Sequence, residues 1–332
     1  MPWLGCGLLM LGALHPGAAQ AQLEQLKELR PLMGTTVELT LLGPDRQALG
    51  TASAAAYREM QRLTDMLSHY DERSVVSEIG RAAVPRAVAA PPELREVLRM
   101  ARRVSELTDG AFDITVGALK GWRFQPDAGR MPTAPEIRAA LPLVDYRNVI
   151  LDEASGAVFL RRPGMRLDLG GIAKLYILHA GMEVVRRHGI AHAMINGGGD
   201  VEVMGGNRGR PWRIGIRDPR APDRLLTSLE LSRGLVVTSG DYERYFLRNG
   251  RRYHHILDPR TGYPAQGPIQ VTLVAQEFAE VNGLSAGIMV LGAERGRRLI
   301  EKRPGLEAII VDRDAAVWVS PGLRERLDPP LP

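Results

Sequence analysis

The chain has 332 residues, of which 45% are hydrophobic and 24% are charged, proportions typical of a globular protein with a large core. The formal net charge is +5, and arginine supplies 39 of the 43 basic residues because lysine occurs only at positions 27, 120, 174 and 302. The arginines are scattered, without a long basic run or an aromatic-interleaved stripe, which argues against nucleic-acid binding.

The first 21 residues, "MPWLGCGLLMLGALHPGAAQA", predict an export leader. An apolar run is followed by small residues and by an A-x-A-like end at Ala19-Gln20-Ala21, although no Lys or Arg precedes the run. The run is too short to span a bilayer comfortably. Cys6 is the only cysteine, so a chain cleaved after about residue 21 uses no thiol nucleophile and needs no disulfide. We expect residues 22–332 to form the functional domain in the periplasm, with membrane attachment only if Cys6 is lipidated.

Hydrophobic periodicity predicts alternating groups of helices and strands after the leader. We expect a short helix before Pro31, a strand at 35–42, helices within 51–70 and 91–110, and a strand within 111–119. A long helix at about 172–188 is followed by short strands up to about 275 and by a helix at about 277–291. Strands that follow one another in sequence, with helices between the runs, favour an α+β fold with largely antiparallel sheet over a doubly wound fold.

The segment "RLDLGGIAKLY" (166–176) has the features of an anion-binding turn. Two glycines follow Asp168 and open a helix, where free backbone N–H groups favour negative charge. Lys174 is one of only four lysines in an arginine-rich chain. Either this is chance or the position requires a compact ammonium rather than a planar guanidinium. Taken alone, a strand-to-helix turn with a surface ion pair explains the segment equally well.

The segment "YHHILDPRTGYPA" (253–265) places two adjacent histidines near the end of a strand, where they point to opposite faces. Asp258 follows His255 by three residues and is a candidate orienting group for a histidine base. An inward histidine is more often structural than catalytic. The chain has no HExxH spacing, no GxSxG elbow and no Walker A loop, which argues against a zinc protease, a serine hydrolase and a P-loop enzyme.

The remaining glycine-rich and acidic segments are ordinary turns when each is considered alone. Their order is informative: "MGTTVEL", "LSHYDERSVVSEI", "TDGAFDITVGAL", "LDLGGIAK", "INGGGDVEVMG", "VVTSGDYERYF" and "HHILDPRTGYP" together resemble the ApbE family, the FAD:protein FMN transferases. The resemblance runs from about residue 30 to 320. It implies a T-fold-like α+β core with a smaller inserted α/β portion, one bound FAD and a magnesium ion at the pyrophosphate. The implied reaction moves FMN from FAD to a threonine hydroxyl of an acceptor flavoprotein and releases AMP.

The resemblance also implies site residues, each at the position that matches the family's motif. His255 and Asp258 would be catalytic, with His255 as the inward histidine. The implied flavin-binding residues are Met33, Tyr70, Ala111, Phe112, Asp113, Asp168, Lys174, His255 and Ile256.

This chain departs from the family pattern where the family binds its metal. The pattern Ala-Asp-Ala-Leu-Ser-Thr-Ala supplies an Asp and a Thr, which act with a backbone carbonyl near Gly171, but this chain has Asn282 and Ala286 at those positions. Ser285 faces elsewhere by about 100° of helix turn. Mg²⁺ prefers hard, charged oxygens, so we expect its affinity to fall. A smaller departure is Leu175, where the family usually has glycine after the lysine.

We consider three hypotheses and favour the first, because the other motif blocks are largely intact. The first is an active FMN transferase that recruits Mg²⁺ through the phosphates of FAD, backbone oxygens and water. The second is a flavin-binding accessory protein with slow or absent transfer, like the NosX-type periplasmic relatives of denitrification. The third is an FAD pyrophosphatase, which also needs metal.

Overall fold

The computed structural model describes residues 23–82, 86–126, 128–221 and 223–331. The predicted leader and Cys6 lie outside these residues. The strands in the described part are β1 (Glu24–Leu32), β2 (Thr35–Gly43), β3 (Val88–Ala89), β4 (Val149–Leu151), β5 (Ala157–Leu160), β6 (His192–Gly197), β7 (Asp200–Met204), β8 (Trp212–Arg217), β9 (Leu225–Leu231), β10 (Arg233–Gly240), β11 (Tyr245–Arg248), β12 (Arg251–His254), β13 (Gln270–Ala275), β14 (Glu307–Val311), β15 (Val317–Val319) and β16 (Leu327–Asp328).

Helices separate these groups of strands. The α-helices of the same residues are α1 (Arg46–Leu67), α2 (Val75–Arg81), α3 (Pro92–Leu107), α4 (Ala134–Ala140), α5 (Gly170–Arg187), α6 (Phe278–Val281), α7 (Leu284–Leu291), α8 (Ala293–Glu301) and α9 (Pro321–Arg324). Three short 3₁₀ helices lie at Ile114–Ala118, Leu141–Leu143 and Tyr146–Asn148.

The centre of the molecule is an eight-stranded sheet in the order β1-β2-β6-β7-β10-β13-β14-β15, in which every neighbouring pair is antiparallel. Alternate residues of a strand point to opposite faces, so the sheet has a core on each side. Leu41 and Val237 face one core, whereas their neighbours Leu42 and Val236 face the other. Burial of a leucine or valine side chain of this kind contributes about 1.5–3 kcal/mol.

Helices cover one face of this sheet and a second sheet covers the other. On the helical side, α1 packs against α5, and α7 lies against β10 and β13. The opposite face packs against the three-stranded sheet β16-β9-β8, where Trp212 and Ile214 join the second core. A further small sheet, β3-β5-β4, lies with α3 and α4 in the segment between α2 and α5.

The predicted α+β fold with a largely antiparallel sheet and a smaller inserted α/β portion is confirmed. Three local predictions are wrong. The segment before Pro31 is strand β1 because it pairs with β2 along its whole length. The segment within 111–119 contains the 3₁₀ helix Ile114–Ala118, and Asp113 caps its first turn. The predicted helix at 277–291 is broken because Gly283 has a left-handed φ of 77°.

The strand-to-helix turn considered for residues 166–176 lacks its strand, because the backbone of residues 165–169 has no regular secondary structure. Within the ranges that the structure describes, no helix is both long enough and apolar enough to cross a membrane.

Candidate active site

The N-terminus of α5 forms the centre of the candidate site. Gly170 and Gly171 are exposed there, and Leu169, which precedes the helix, offers no capping side chain. The first turn is instead held by the Asp168 carboxylate, which accepts a hydrogen bond from the Gly170 N–H at 2.8 Å. The N–H groups of Ile172 and Ala173 donate to the carbonyl of Leu169, so the Gly171 N–H and the positive end of the helix dipole remain at this exposed end, where they favour an anion.

Lys174 lies one turn into the same helix and is paired with Asp200. Its ammonium is 2.7 Å from the Asp200 carboxylate, which is buried and also accepts the backbone N–H of Thr238 at 3.1 Å. Asp200 begins β7 after a tight hairpin in which Gly198 and Gly199 both have positive φ. The predicted partner Asp168 is thus replaced by Asp200, because the hairpin brings Asp200 under the lysine.

Asp168 and Tyr70 stand at the outer side of the same helix end. Asp168 lies 3.4 Å from Nδ1 of His69, and the rings of His69 and Tyr70 are 3.9 Å apart. The Tyr70 side chain is 75% exposed, and its hydroxyl accepts a hydrogen bond from Arg244 at 3.4 Å. An exposed tyrosine held in this way is available for stacking on a planar ligand.

Within the predicted Ala111-Phe112-Asp113 group, the three side chains have different surroundings. Phe112 is buried beside the start of α5, where a Cβ on Gly171 would lie 3.0 Å from its ring. Ala111 packs in a cluster with Ala265, beside Ile256.

Asp113 is bonded to neighbouring groups of the protein. Its carboxylate accepts hydrogen bonds from the N–H and hydroxyl of Thr115 and from the N–H of Tyr146. Burial raises the pKa of Asp113, while these hydrogen bonds oppose the rise. The Asp113 carboxylate therefore caps the 3₁₀ helix, and its binding of flavin stays a prediction.

The two histidines are oriented differently from the prediction. His254 is the more buried one, and its Nε2 donates to the carbonyl of Ala265 at 3.0 Å. His255 is partly exposed, so the expectation that it is the inward histidine is wrong. Side chains alternate along β12, so Tyr253 joins the aromatic cluster with Phe246 while His254 points to the opposite face.

His255 is nevertheless well prepared to accept a proton. Its Nδ1 lies 3.3 Å from the carbonyl of Arg244, and because a carbonyl only accepts, Nδ1 carries the proton and Nε2 keeps its lone pair. Surrounding protein atoms, and then the charges of Arg244 and His254, hold the pKa of His255 well below its usual range. The ring is therefore neutral near pH 7.

Asp258 does not orient His255. Its carboxylate is held by the backbone N–H and guanidinium of Arg260 at 2.8–2.9 Å, and its own carbonyl accepts the N–H groups of Thr261 and Gly262. The predicted pairing of Asp258 with His255 is corrected, because Asp258 closes the turn and the Arg244 carbonyl orients the ring. Ile256 lies between them and bonds the N–H of Ala265 through its carbonyl.

Met33 lies at the turn between β1 and β2, with a positive φ of 54°, and it packs against the helical core. Left-handed backbone at a methionine is uncommon, so the turn is held by its surroundings. Among the described residues, no hydrogen bond joins the Met33 side chain to His255 or Lys174. Its role toward a ligand stays a prediction.

This geometry agrees with the comparisons to known proteins. The sequence model of the ApbE family matches residues 33–310. The chain belongs to the ApbE family. It is 35% identical over 301 residues to an FAD:protein FMN transferase of Klebsiella pneumoniae, covering 90% of this chain and 92% of that protein. It is 30% identical to an FAD:protein FMN transferase of Vibrio cholerae, covering 92% of each chain.

Solved structures of ApbE proteins share the fold. The crystal structure of the ApbE protein from Thermotoga maritima superposes with a TM-score of 0.82 at 35% identity, covering 92% of this chain and 99% of that one. The flavin transferase ApbE from Vibrio cholerae gives a TM-score of 0.79 at 28% identity, covering 93% and 100% of the two chains.

The residues that the resemblance implies for a metal ion lie close together in this chain, but they offer few donors. Gly171 and Ala286 face each other, since a Cβ on Gly171 would lie 3.8 Å from that of Ala286. Asn282 is buried, its Oδ1 lacks a hydrogen-bond partner within the described part of the chain, and its Nδ2 lies 3.7 Å from Sδ of Met100. Ser285 turns to Ser239, with 2.9 Å between the hydroxyls.

These residues do not fit a site in which the protein itself holds Mg²⁺. One neutral amide oxygen and a backbone carbonyl are far from the charged octahedral set that the ion prefers. In the ranges that the structure describes, no three His, Cys, Asp or Glu side chains are grouped so that they could hold a metal ion.

Three residues that orient the side chains of the site were not among the predicted site residues. They are Asp200, Arg244 and His69. The sequence offered a signal for two of them. Asp200 follows three glycines, a pattern for a tight hairpin, and His69 directly precedes Tyr70. Arg244 contributes through its carbonyl as well as its side chain, and no sequence pattern marks a backbone group of that kind.

Proposed function

We propose that this protein is an FAD:protein FMN transferase, which moves FMN from FAD to a threonine hydroxyl of an acceptor protein and releases AMP. In this reaction the threonine oxygen forms a bond to the phosphorus of the FMN half. The bond from that phosphorus to the bridging pyrophosphate oxygen breaks, and AMP leaves with that oxygen. The observation that carries the proposal is a neutral His255 and a paired Lys174 beside an open helix N-terminus, in a chain that matches the ApbE family over most of its length.

The N-terminus of α5 is the part of the site suited to the pyrophosphate. Gly170 and Gly171 allow a phosphate oxygen to approach the backbone closely, and the Gly171 N–H has no side-chain cap. Lys174 adds a positive charge one turn further on. A charge-assisted hydrogen bond of this kind contributes about 1.5–3 kcal/mol to binding.

His255 is suited to act as general base. Its Nε2 has a free lone pair because Nδ1 donates to the Arg244 carbonyl, and its lowered pKa keeps it unprotonated near pH 7. Nε2 would take the proton from the threonine hydroxyl as the oxygen attacks. The same imidazolium would be an acid strong enough to hand the proton on when AMP leaves.

The side chains of Asn282 and Ala286 supply little to hold a magnesium ion, because one is a neutral amide and the other a methyl group. We propose that any ion at this position is held mainly by groups other than protein side chains, with Asn282 as a neutral donor and a backbone oxygen near Gly171. No step of the proposed mechanism passes through the metal.

The second candidate is a flavin-binding accessory protein. The observation that favours it is the absence of a charged side chain at positions 282 and 286. With Asn282 and Ala286 in place of an acid and a hydroxyl, FAD binding could be retained while phosphoryl transfer slows. Hydrolysis of FAD to FMN and AMP is a third outcome of the same chemistry, in which water replaces the threonine.

One experiment separates the three candidates. Purified protein is incubated with FAD, Mg²⁺ and a substrate protein that carries a flavinylation threonine, and covalent FMN is measured by in-gel fluorescence and intact mass. Covalent FMN supports the transferase, whereas bound FAD without transfer supports the accessory role. Free FMN and AMP without labelled protein would identify a pyrophosphatase. A standard transferase run on the same substrate shows that the acceptor is competent.

We also propose that the protein is exported to the periplasm. The support is the leader-like composition of residues 1–21 and the lack of any cysteine after Cys6 in the sequence. Cell fractionation of the tagged full-length chain tests this, because a cytoplasmic product of uncleaved mass would contradict it.

A further inference from the structure

The excess positive charge of the chain is concentrated in two short segments. Residues 120–131 and 244–254 together contain seven basic residues and one acidic residue, a net charge of +6, whereas the whole chain has +5. All other residues are therefore nearly neutral as a group. The scattered arginines noted in the sequence hide this concentration, because the two segments are far apart along the chain.

Aromatic packing brings the two segments together. Phe246 of β11 lies opposite Tyr253 of β12, and their rings stack at 5.3 Å. Trp122 and Phe124 of the first segment lie 6.5 Å and 6.4 Å from the ring of Phe246. Gly129 sits directly on the same ring, since a Cβ there would come within 2.3 Å of it. The first segment therefore lies on the aromatic face of the β11–β12 hairpin.

Cationic side chains continue this face toward the tip of the hairpin. Arg248 lies opposite Arg251 in the strand register, two residues beyond Phe246 and Tyr253, so both arginines share their side of the hairpin. Arg251 also lies over the ring of Tyr253 at 5.3 Å. We call four exposed side chains the basic rim: Lys120, Arg123, Arg248 and Arg251. Among the described residues, no carboxylate lies within 4.0 Å of any of them.

The basic rim borders the candidate active site. Trp122 donates through Nε1 to the carbonyl of Gly262 at 2.9 Å, and Gly262 belongs to the turn that follows His255. Strand β12 itself runs directly into His255. A groove of about 440 Å³ beside the rim is lined by Lys120 and Ile137, among others.

The distance along β12 indicates what kind of ligand the rim suits. Arg251 lies four residues before His255, which corresponds to about 13 Å at the usual rise of a strand. An extended polypeptide whose threonine lies at His255 would reach Arg251 about four residues from that threonine.

We propose that the basic rim is a docking surface for an acidic segment of the acceptor protein, close in sequence to the threonine that is modified. This inference rests on the proposed function. Carboxylates on the acceptor would neutralise side chains that repel one another, and charges at the rim of an interface mainly steer encounter and select partners. The rim would therefore affect the acceptor and leave the binding of FAD unchanged.

The test measures binding of two fluorescein-labelled peptides with a central threonine, one with flanking aspartates and one with asparagines at the same places. We expect the aspartate peptide to bind the full-length protein more tightly. We expect R248E/R251E to weaken that binding by about tenfold or more, and R248K/R251K to preserve it. The matched control is R58E/R326E, which makes the same charge change at two exposed arginines outside the rim. Raising the salt from ~0.1 M to ~1 M shortens the screening length from about 10 Å to about 3 Å and should abolish the preference.

Equal binding of the two peptides would overturn the inference. Equal loss in R248E/R251E and in the control would do the same, with circular dichroism verifying that the variants fold. Binding to vesicles of phosphatidylglycerol and phosphatidylcholine that R248E/R251E abolishes, while the peptides still bind alike, would also overturn it, because the rim would then contact a lipid surface.

The peptide measurement requires no transfer of FMN, so it is separable from the proposed function. A preference for the aspartate peptide in a protein that transfers no FMN would refute the transferase and support the docking surface. FMN transfer to protein acceptors with unchanged KM in R248E/R251E would support the transferase and refute the docking surface. The KM for FAD serves as the internal control in both cases.

Discussion

The ammonium of Lys174 is 2.7 Å from the carboxylate of Asp200, and the same carboxylate accepts the backbone N–H of Thr238. Asp200 is buried, and a buried charge needs partners, which these two contacts provide. The same ion pair holds the lysine near the N-terminus of α5. A paired lysine has fewer conformations to lose when an anion binds. The lysine therefore reaches the anion site already oriented, at some cost in net positive charge.

Replacement of Lys174 by alanine should weaken FAD binding by about tenfold or more, because a charge-assisted contact worth roughly 1.5–3 kcal/mol is lost. The measurement is a titration of FAD fluorescence with the purified protein. Asp200→Asn tests the orientation separately and should weaken binding less, since the ammonium remains. An unchanged affinity in Lys174→Ala would remove this residue from the site. Leu175→Ala, one residue further along α5, is the control for general damage to the helix.

Restoring an acid and a hydroxyl at the metal position should increase dependence on Mg²⁺. In Asn282→Asp with Ala286→Thr, a buried unpaired carboxylate should destabilise the metal-free protein by about 1–3 kcal/mol. Mg²⁺ should restore that stability because it binds the folded state. Thermal unfolding with and without Mg²⁺ measures this directly, and the rate of FMN transfer provides a second readout.

The control for this variant is Ser285→Ala, which changes a neighbouring hydroxyl that bonds Ser239 and faces away from the metal position. It should unfold at the same temperature with and without Mg²⁺. If the double variant likewise shows no response to Mg²⁺, then Asn282 and Ala286 do not occupy the family's metal position.

The sequence predicted the parts of the site that depend on local pattern. Glycines after Asp168 and before a helical run predict an open helix N-terminus, and the structure has one at Gly170. The sequence did not predict which carboxylate pairs with Lys174, because Asp200 reaches it only through the pairing of β6 with β7. It also assigned Asp258 to His255, whereas Arg260, two residues from Asp258, is its actual partner.

The errors in secondary structure have a common physical origin. Residues before Pro31 have leucines three apart and good helix formers, yet pairing with β2 makes them a strand, since tertiary contacts override weak local preference. Apolar periodicity also continues through Asn282 and Gly283, but the left-handed glycine ends one helix there and starts another. The spacing of apolar residues indicates which face of a helix is buried. It does not reveal that a single residue with left-handed backbone ends the helix.

Stability should fall when the pH is lowered from 7 to 5. Burial lowers the pKa of both His254 and His255 in the folded protein, so the unfolded chain binds more protons in this range. Their stability contribution is complete above the unfolded pKa near 6.5 and is lost as the pH falls toward the lowered folded pKa. Each histidine contributes at most about 1.4 kcal/mol per pH unit.

Urea unfolding at several pH values measures this dependence, and His255→Asn should make it shallower. The control is His188→Asn at an exposed histidine. The free energy of unfolding of this variant should depend on pH as it does in the wild-type protein. Parallel curves for wild type and His255→Asn would contradict a lowered pKa at His255. The same histidine should give the transfer rate an acid limb with an apparent pKa below 6.5.

Gly283→Ala should destabilise the protein by roughly 1–3 kcal/mol, because its φ of 77° strains any residue with a Cβ. The added methyl group would also lie 3.3 Å from Ile172 and 3.4 Å from Phe112, at the start of α5. Gly305→Ala separates the two effects, since Gly305 has a φ of 84° and no atom within 4 Å of an added Cβ. Gly305→Ala therefore introduces backbone strain without new contacts. Urea unfolding should show a smaller loss of stability than in Gly283→Ala, and the affinity for FAD should not change. Equal losses in both variants would mean that the contacts with Ile172 and Phe112 are loose, and that the helix break at Asn282 is not held by close packing.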